Sequence, residues 1–162
     1  MAGQSCLILV SACLLGLDCR FDGQSCLDPR LRDLGVRGRL IPFCPEVSGG
    51  LATPRLPAEI QGAHAGLDGN AVVGGSTRVV SIDGTDVTAQ FLAGARAALD
   101  LAQRLGIRRA ILKANSPSCG SGYIHEGMFA GRLVPGDGVT AALLKQAGIT
   151  VITEGDLVGG VA

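Results

Sequence analysis

The sequence predicts an α/β fold: a single domain over residues 1–162, with a mostly parallel, Rossmann-like sheet flanked by helices. Three observations carry that prediction. Four short apolar runs, Leu7–Leu15, Leu40–Phe43, Arg109–Lys113 and Thr150–Thr153, are continuous rather than alternating, as in strands covered on both faces. Segments of helical period lie among them, and strand–helix–strand order calls for parallel pairing with crossovers. A length of 162 residues with 47% hydrophobic side chains suits one domain with a real core.

In chain order, the first run is a buried strand. Pro29 can open one or two helical turns over Leu31–Leu34 before the second strand at Leu40–Phe43. Residues 48–77 are rich in glycine and proline and show little period, so they read as a long irregular excursion. Val79–Ile82 and Thr85–Thr88, joined by Asp83-Gly84, read as a small hairpin. The clearest helix runs from about Thr88 to Leu105. Phe91, Leu92, Ala95, Ala98, Leu99, Ala102 and Leu105 form its apolar stripe, Asp86 or Thr88 can cap its start, and Gly106 marks its end. A second helix covers about Val139–Ala147, with Asp137 before it and Gly148 after it, and leads into the strand Thr150–Thr153.

Composition excludes several classes. Fourteen basic residues balance fourteen acidic ones, and the aromatics are four Phe and one Tyr. A binder of long nucleic acid needs a basic field and stacking rings, and balanced charge with five aromatics argues against one. No run approaches the ~18–20 apolar residues of a membrane span. The apolar run before Ser11 is only Leu7–Val10 and no Lys or Arg precedes it, so the Val10–Cys13 segment is not expected to act as an export signal. The expected location is the cytoplasm. There, six cysteines are free thiols rather than disulfides.

Those cysteines divide by position. Cys13, Cys44 and Cys119 each follow a different predicted strand, at the end where parallel α/β sheets bind ligands. They can converge although 31 and 75 positions separate them in sequence. Cys6, Cys19 and Cys26 end no apolar run and are expected not to be ligands. Several chemistries remain open for three converging thiols. A zinc site usually carries a Cys-x2–4-Cys knuckle, which the chain lacks, and neither His64 nor His125 has a partner at ligand spacing. A phosphatase-type loop would need a shorter span than the six residues between Cys13 and Arg20. An iron–sulfur cluster on three cysteines would leave one iron open as a Lewis acid. Three buried, inert cysteines are the plain alternative.

Beside them stand Glu46, two residues after Cys44, and Ser116, before Pro117. Gly120-Ser121-Gly122 could cradle a substrate phosphate with backbone amides. Arg20 and Lys113 are candidate substrate-binding cations, although surface ion pairing is the commoner role of a single charge.

The motifs in sequence narrow these options. Val10-Ser11-Ala12-Cys13-Leu14-Leu15-Gly16, Cys19-Arg20-Phe21-Asp22-Gly23, Cys44-Pro45-Glu46-Val47, Thr53-Pro54-Arg55, Ser116-Pro117-Ser118-Cys119-Gly120 and Val134-Pro135-Gly136-Asp137-Gly138-Val139-Thr140 occur in that order. Together they resemble the thiouracil desulfidase family over nearly the whole chain, from about Leu7 to Asp156. The resemblance implies a 4Fe–4S cluster held by Cys13, Cys44 and Cys119 with the fourth iron open. It implicates Glu46 and, rather than Ser118, Ser116 in catalysis. Glu46, two residues from Cys44, is the candidate base, and Ser118 is a candidate substrate-binding residue. The resemblance implies removal of sulfur from a thiolated uracil base or nucleotide. The runner-up readings are a metal- or cluster-binding protein without turnover and a tRNA thiouridine desulfidase that relies on a partner. Phe21, where the family often has Tyr, and Lys113-Ala114-Asn115 depart from the pattern. The second departure bears on substrate preference. Oligomeric state has no signature in the sequence.

Overall fold

The computed structural model describes residues 6–35 and 39–157. Its centre is a four-stranded parallel sheet in the order β2-β1-β5-β8, built from β1 (Ile8–Ser11), β2 (Leu40–Phe43), β5 (Arg109–Leu112) and β8 (Thr150–Thr153). All four lie in the predicted apolar runs. The sheet is covered on both faces, which explains why those runs do not alternate. Leu9, Ala110, Leu112 and Val151 pack with Ala98 and Ala102 of α4 (Thr88–Arg104) and with Ala141 and Leu144 of α5 (Val139–Gln146). Ile8, Val10, Leu40 and Ile111 pack on the other side with Leu31 of α1 (Pro29–Gly35). Neighbouring positions of one strand thus feed two separate cores.

Strand order reverses beside β1: β2 lies on one side of it and β5 on the other. Such a switch point opens a crevice at the carboxyl ends of the strands. Ser11, the last residue of β1, stands opposite Phe43, the last of β2. Chain leaving either strand therefore enters that crevice at one level.

The glycine- and proline-rich excursion is more ordered than the sequence suggests. It is entered from α2 (Pro45–Ser48) and holds β3 (Ala58–Ile60) and α3 (Gly69–Val73). The hairpin expected over residues 79–88 is reduced to one bridge, Val80 to Asp86, and β4 (Val79–Ser81) instead pairs antiparallel with β3. The cause is a second core. Ile60, Ala63, Val72 and Val79 close around Phe91 and Ala95 on the first half of α4. The stripe of α4 therefore serves two masters: Phe91 and Ala95 face the excursion, Ala98 and Ala102 face the sheet. Leu105, counted in the stripe, is exposed, and Gly94 takes a buried place.

Two further strands, β6 (Tyr123–His125) and β7 (Leu133–Pro135), form a hairpin between β5 and α5. Each is three residues long, too short for period to reveal.

Candidate functional site

Three local structures carry the strand-end cysteines. Cys13 sits in the 3-10 turn Ala12–Leu15 that continues β1, and Gly16 ends this turn in a left-handed conformation. Cys44 is the N-cap of α2, with Pro45 at the first helical position and Glu46 in the first turn. Cys119 lies on the turn after β5. The carbonyls of Pro117 and Ser118 accept from the N–H groups of Val139 and Thr140 at 2.9 Å each. Those are free donors at the start of α5, whose N-cap Gly138 offers no side chain. The Cys119 turn is thus itself the cap of α5.

α2 is held by close helix contact. A Cβ on Gly94 of α4 would collide with the carbonyl of Pro45, and one on Gly49 would collide with the carbonyl of Gln90. Two glycines facing in opposite directions let the helices touch and set the position of Cys44 and Glu46.

The three thiols line one cavity of ≈ 510 Å³, within the usual range for a small-molecule site. Ser11, Glu46, Arg55, Lys113 and Ser116 also line it, and Phe21, Phe43, Pro57, Ile82 and Phe129 supply apolar wall. Glu59 holds part of that wall in place: its buried carboxylate accepts from the N–H groups of Gly127 at 2.8 Å and Phe129 at 3.0 Å.

Glu46 is largely enclosed, and Arg55 Nε donates to its Oε1 at 3.2 Å. The same guanidinium donates to the carbonyls of Ala52 and Cys19 and to Thr53 Oγ1. Burial raises the proton affinity of Glu46, and the Arg55 charge opposes that rise. Burial pushes the Cys119 thiol up to about 12, against a hydrogen bond from Ser11. The Cys44 thiol is raised well beyond the ordinary thiol range by its hydrogen bond to Cys19 and by burial.

The other expected site residues divide. Ser116 lines the cavity, and its Oγ accepts from the N–H groups of Ser118 and Cys119 at 3.1 Å each, which leaves its own proton to donate. Ser118 is buried away from the cavity and bonded to Thr140 Oγ1 at 2.8 Å. Gly120, Ser121 and Gly122 do not line the cavity either, and the Gly122 N–H is taken by Asp137 Oδ1 at 2.9 Å. Lys113 and Arg20 do line it. Lys113 is engaged by Glu154, and Arg20 lies 3.7 Å from Asp22 and donates to Cys26 Sγ.

Among the cavity residues outside the expected set are Arg55 and Cys19. Arg55 is the only charge between Val47 and Ala58, a solitary charge in an otherwise neutral loop, and that isolation was its signal. Cys19, expected to stand apart, lines the cavity with the other three thiols. Its thiol reaches those of Cys13 and Cys44 and is pushed up to about 11, chiefly by the bond to Cys13. Cys6 is exposed and Cys26 is not in the cavity lining.

The donor set fits an iron–sulfur cluster. It is all soft sulfur, and the described cysteines are free thiols. Among the described residues no three His, Cys, Asp or Glu side chains form a group that could hold one metal ion. The thiols line a cavity of ≈ 510 Å³, with room for a group wider than a single ion. Among the described residues no helix is long and apolar enough to cross a membrane.

Comparison with known proteins agrees with this arrangement. The solved structure of a protein titled [4Fe-4S]-dependent thiouracil desulfidase TudS (DUF523Vcz) superposes with a TM-score of 0.82 at 49% identity, covering 94% of this chain and 93% of that one. The uncharacterized protein YbbK of Bacillus subtilis (strain 168) is 45% identical over 151 residues, which are 93% of this chain and 97% of YbbK. Residues 8–156, from the first strand to the turn after the last, match the family described as 2-thiouracil desulfurase. With its strand-end thiols, its Cys-Pro-Glu helix start and its parallel sheet, the chain belongs to the 2-thiouracil desulfurase family.

Proposed function

We propose that the protein is an iron–sulfur-dependent desulfidase that converts a thiolated uracil to its oxo form and releases sulfide. The substrate is 2-thiouracil, 4-thiouracil or a thio-UMP. Cys13, Cys44 and Cys119 would hold a 4Fe–4S cluster. When bound, the cluster supplies an open iron, a Lewis acid for soft sulfur. The observation that carries the reading is the position of Glu46. It is a carboxylate of raised proton affinity, enclosed beside the three thiols and held by Arg55.

The side chains divide the work. Glu46 takes a proton from the water that adds to the thiocarbonyl carbon, and its raised proton affinity favours that role. Arg55 holds the carboxylate in one orientation through its other bonds to Ala52, Thr53 and Cys19. Ser116 donates its remaining hydrogen bond to the ring or to the water. Phe21, Phe43 and Phe129 exclude bulk water and offer flat apolar surface to a pyrimidine. The balance is one water consumed and one hydrogen sulfide released, with no net electron transfer.

The test is Glu46→Gln in protein purified without oxygen. The variant keeps the brown colour and iron content of the wild type and loses sulfide release from thiouracil. Equal turnover removes Glu46 from the reaction. A colourless wild type with stoichiometric zinc removes the cluster.

A further inference from the structure

Most polar side chains that line the cavity are already engaged within the protein. Arg20 is held by Asp22 and Cys26, Glu46 and Arg55 by each other, Glu59 by two backbone N–H groups, and Lys113 by Glu154. Asn115 and His125 line the same cavity and are not. The half-buried Asn115 amide forms no side-chain hydrogen bond among the described residues, and Nδ1 of His125 is buried with no hydrogen-bond partner among them. The backbone brings the two together. Asn115 makes an isolated parallel bridge to Ile124 of β6, and His125 is the next residue along that strand. Two adjoining polar groups without partners mark this wall as the one left for a ligand, since buried polar groups in folded proteins are otherwise paired. Asn115 also holds a left-handed conformation, with φ of 67°. Asparagine tolerates that region, and in turns its side chain usually bonds to nearby backbone. Here the amide is not spent on a turn. It stands directly before Ser116, whose own proton is left to donate into the same cavity.

The thiolated uracils share one edge. Whether sulfur is on C2 or C4, N3–H stands between the thiocarbonyl and the remaining ring carbonyl. That edge presents a donor beside an acceptor, the complement of a single carboxamide. We propose that Asn115 is the specificity-determining residue of the site: its side-chain oxygen accepts from N3–H, and its amino group donates to the ring carbonyl that carries no sulfur. The inference rests on the desulfidase reading for the identity of the base. The contact leaves the thiocarbonyl unpaired, so the atom to be replaced stays exposed to the rest of the cavity. N1 takes no part, so a free base and its nucleotide are read alike.

The test compares wild type, Asn115→Gly and Asn115→Asp, all reconstituted without oxygen. Glycine keeps the left-handed backbone without strain and removes the amide. Aspartate keeps the size and removes the donor. Both variants keep the iron content and melting temperature of wild type. Two pairs of probes are used: 4-thiouracil against 3-methyl-4-thiouracil in sulfide release, and uracil against 3-methyluracil in calorimetric binding. Wild type prefers the unmethylated member of each pair. In Asn115→Gly that preference falls roughly 10- to 100-fold, the scale of one bidentate contact between an amide and a base, and it falls through KM and Kd rather than kcat. Asn115→Asp lies between, because a carboxylate accepts from N3–H but cannot donate to the carbonyl. An unchanged preference in Asn115→Gly overturns the proposal. So does an Asn115→Gly protein that loses iron or its cooperative melt, which would make Asn115 a structural residue. A wild type that releases no sulfide overturns the desulfidase reading, and the uracil pair then still decides on Asn115. A wild type that also binds neither uracil nor 3-methyluracil overturns both.

Discussion

The Arg55 guanidinium meets the Glu46 carboxylate at 3.2 Å, and its side chain is more deeply buried than that of its partner, 8% against 19% exposed. The pair joins a loop of the excursion to the first turn of α2. Removing one partner of an enclosed ion pair costs more than the pair contributes, because the other charge is left without compensation.

Arg55→Gln should therefore destabilise the fold by about 3 kcal/mol, the lower end of the range for a broken buried pair. Arg55→Lys should recover part of the loss, since an ammonium cannot serve Glu46 and three other oxygens at once. Thermal melts of the three proteins measure this. A melting temperature unchanged in Arg55→Gln would show that the pair is solvated and holds nothing.

Gly94→Ala should destabilise, against the usual trend. In a helix interior alanine is favoured over glycine by roughly 0.5–1 kcal/mol. Here the added Cβ meets the Pro45 carbonyl, so α2 must move, and overpacking of this kind costs about 1–3 kcal/mol. Because α2 begins at Cys44, the variant should also hold less iron after reconstitution. Gain of stability with full iron content would show that the α2–α4 contact is slack.

Ser116 and Ser118 should separate cleanly. Ser118→Ala leaves the fully buried Thr140 hydroxyl without its partner and should cost about 1–3 kcal/mol, with turnover per folded molecule unchanged. Ser116→Ala should lower turnover by about 100-fold, the scale of a lost hydrogen-bond donor or proton-transfer group. Melting curves and sulfide release read both. The opposite pattern would transfer the catalytic role to Ser118.

Asp28 gives the fold an acid sensitivity of known sign. Arg30 donates to its two carboxylate oxygens at 2.9 and 2.6 Å and also to the carbonyls of Leu157 and Glu154. The hydrogen bonds from Arg30 hold the Asp28 carboxyl below its ordinary 3.8. A depressed folded value means stability that is present above 3.8 and is lost as pH falls through the folded value. The melting temperature of Arg30→Gln should lie below that of wild type near neutral pH, and the gap should close in acid below 3.8. A gap that persists there would assign the effect to the two backbone carbonyls alone.

The strand-end thiols were legible because two simple signals agreed. Continuous apolar runs mark buried strands, and parallel strands gather their carboxyl ends, so Cys13, Cys44 and Cys119 could be placed together before any contact was known. Cys19 and Arg55 were not placed in the cavity, because each sits on a loop whose path is set by packing elsewhere. The fold of the excursion depends on Ile60, Val72 and Val79 finding Phe91, a set of contacts no local pattern encodes. For the same reason the expected hairpin after Val79 became a pairing with β3, distant in sequence but supported by that second core.

β1 sits in the middle of its sheet and is flanked by a strand that begins about a hundred positions later, with Val10 beside Ile111. This has a consequence for the order of events during synthesis. A nascent chain that has not yet passed Arg109 carries Cys13 and Cys44 but has neither the neighbour strand nor the turn that brings Cys119. Loop closures of such span make a fold slow to form. Iron delivered to the growing chain would find only unconnected thiols. On the proposed iron–sulfur reading, loading would therefore belong to a chain already folded, and a supplier of the metal would meet a finished surface rather than an emerging peptide.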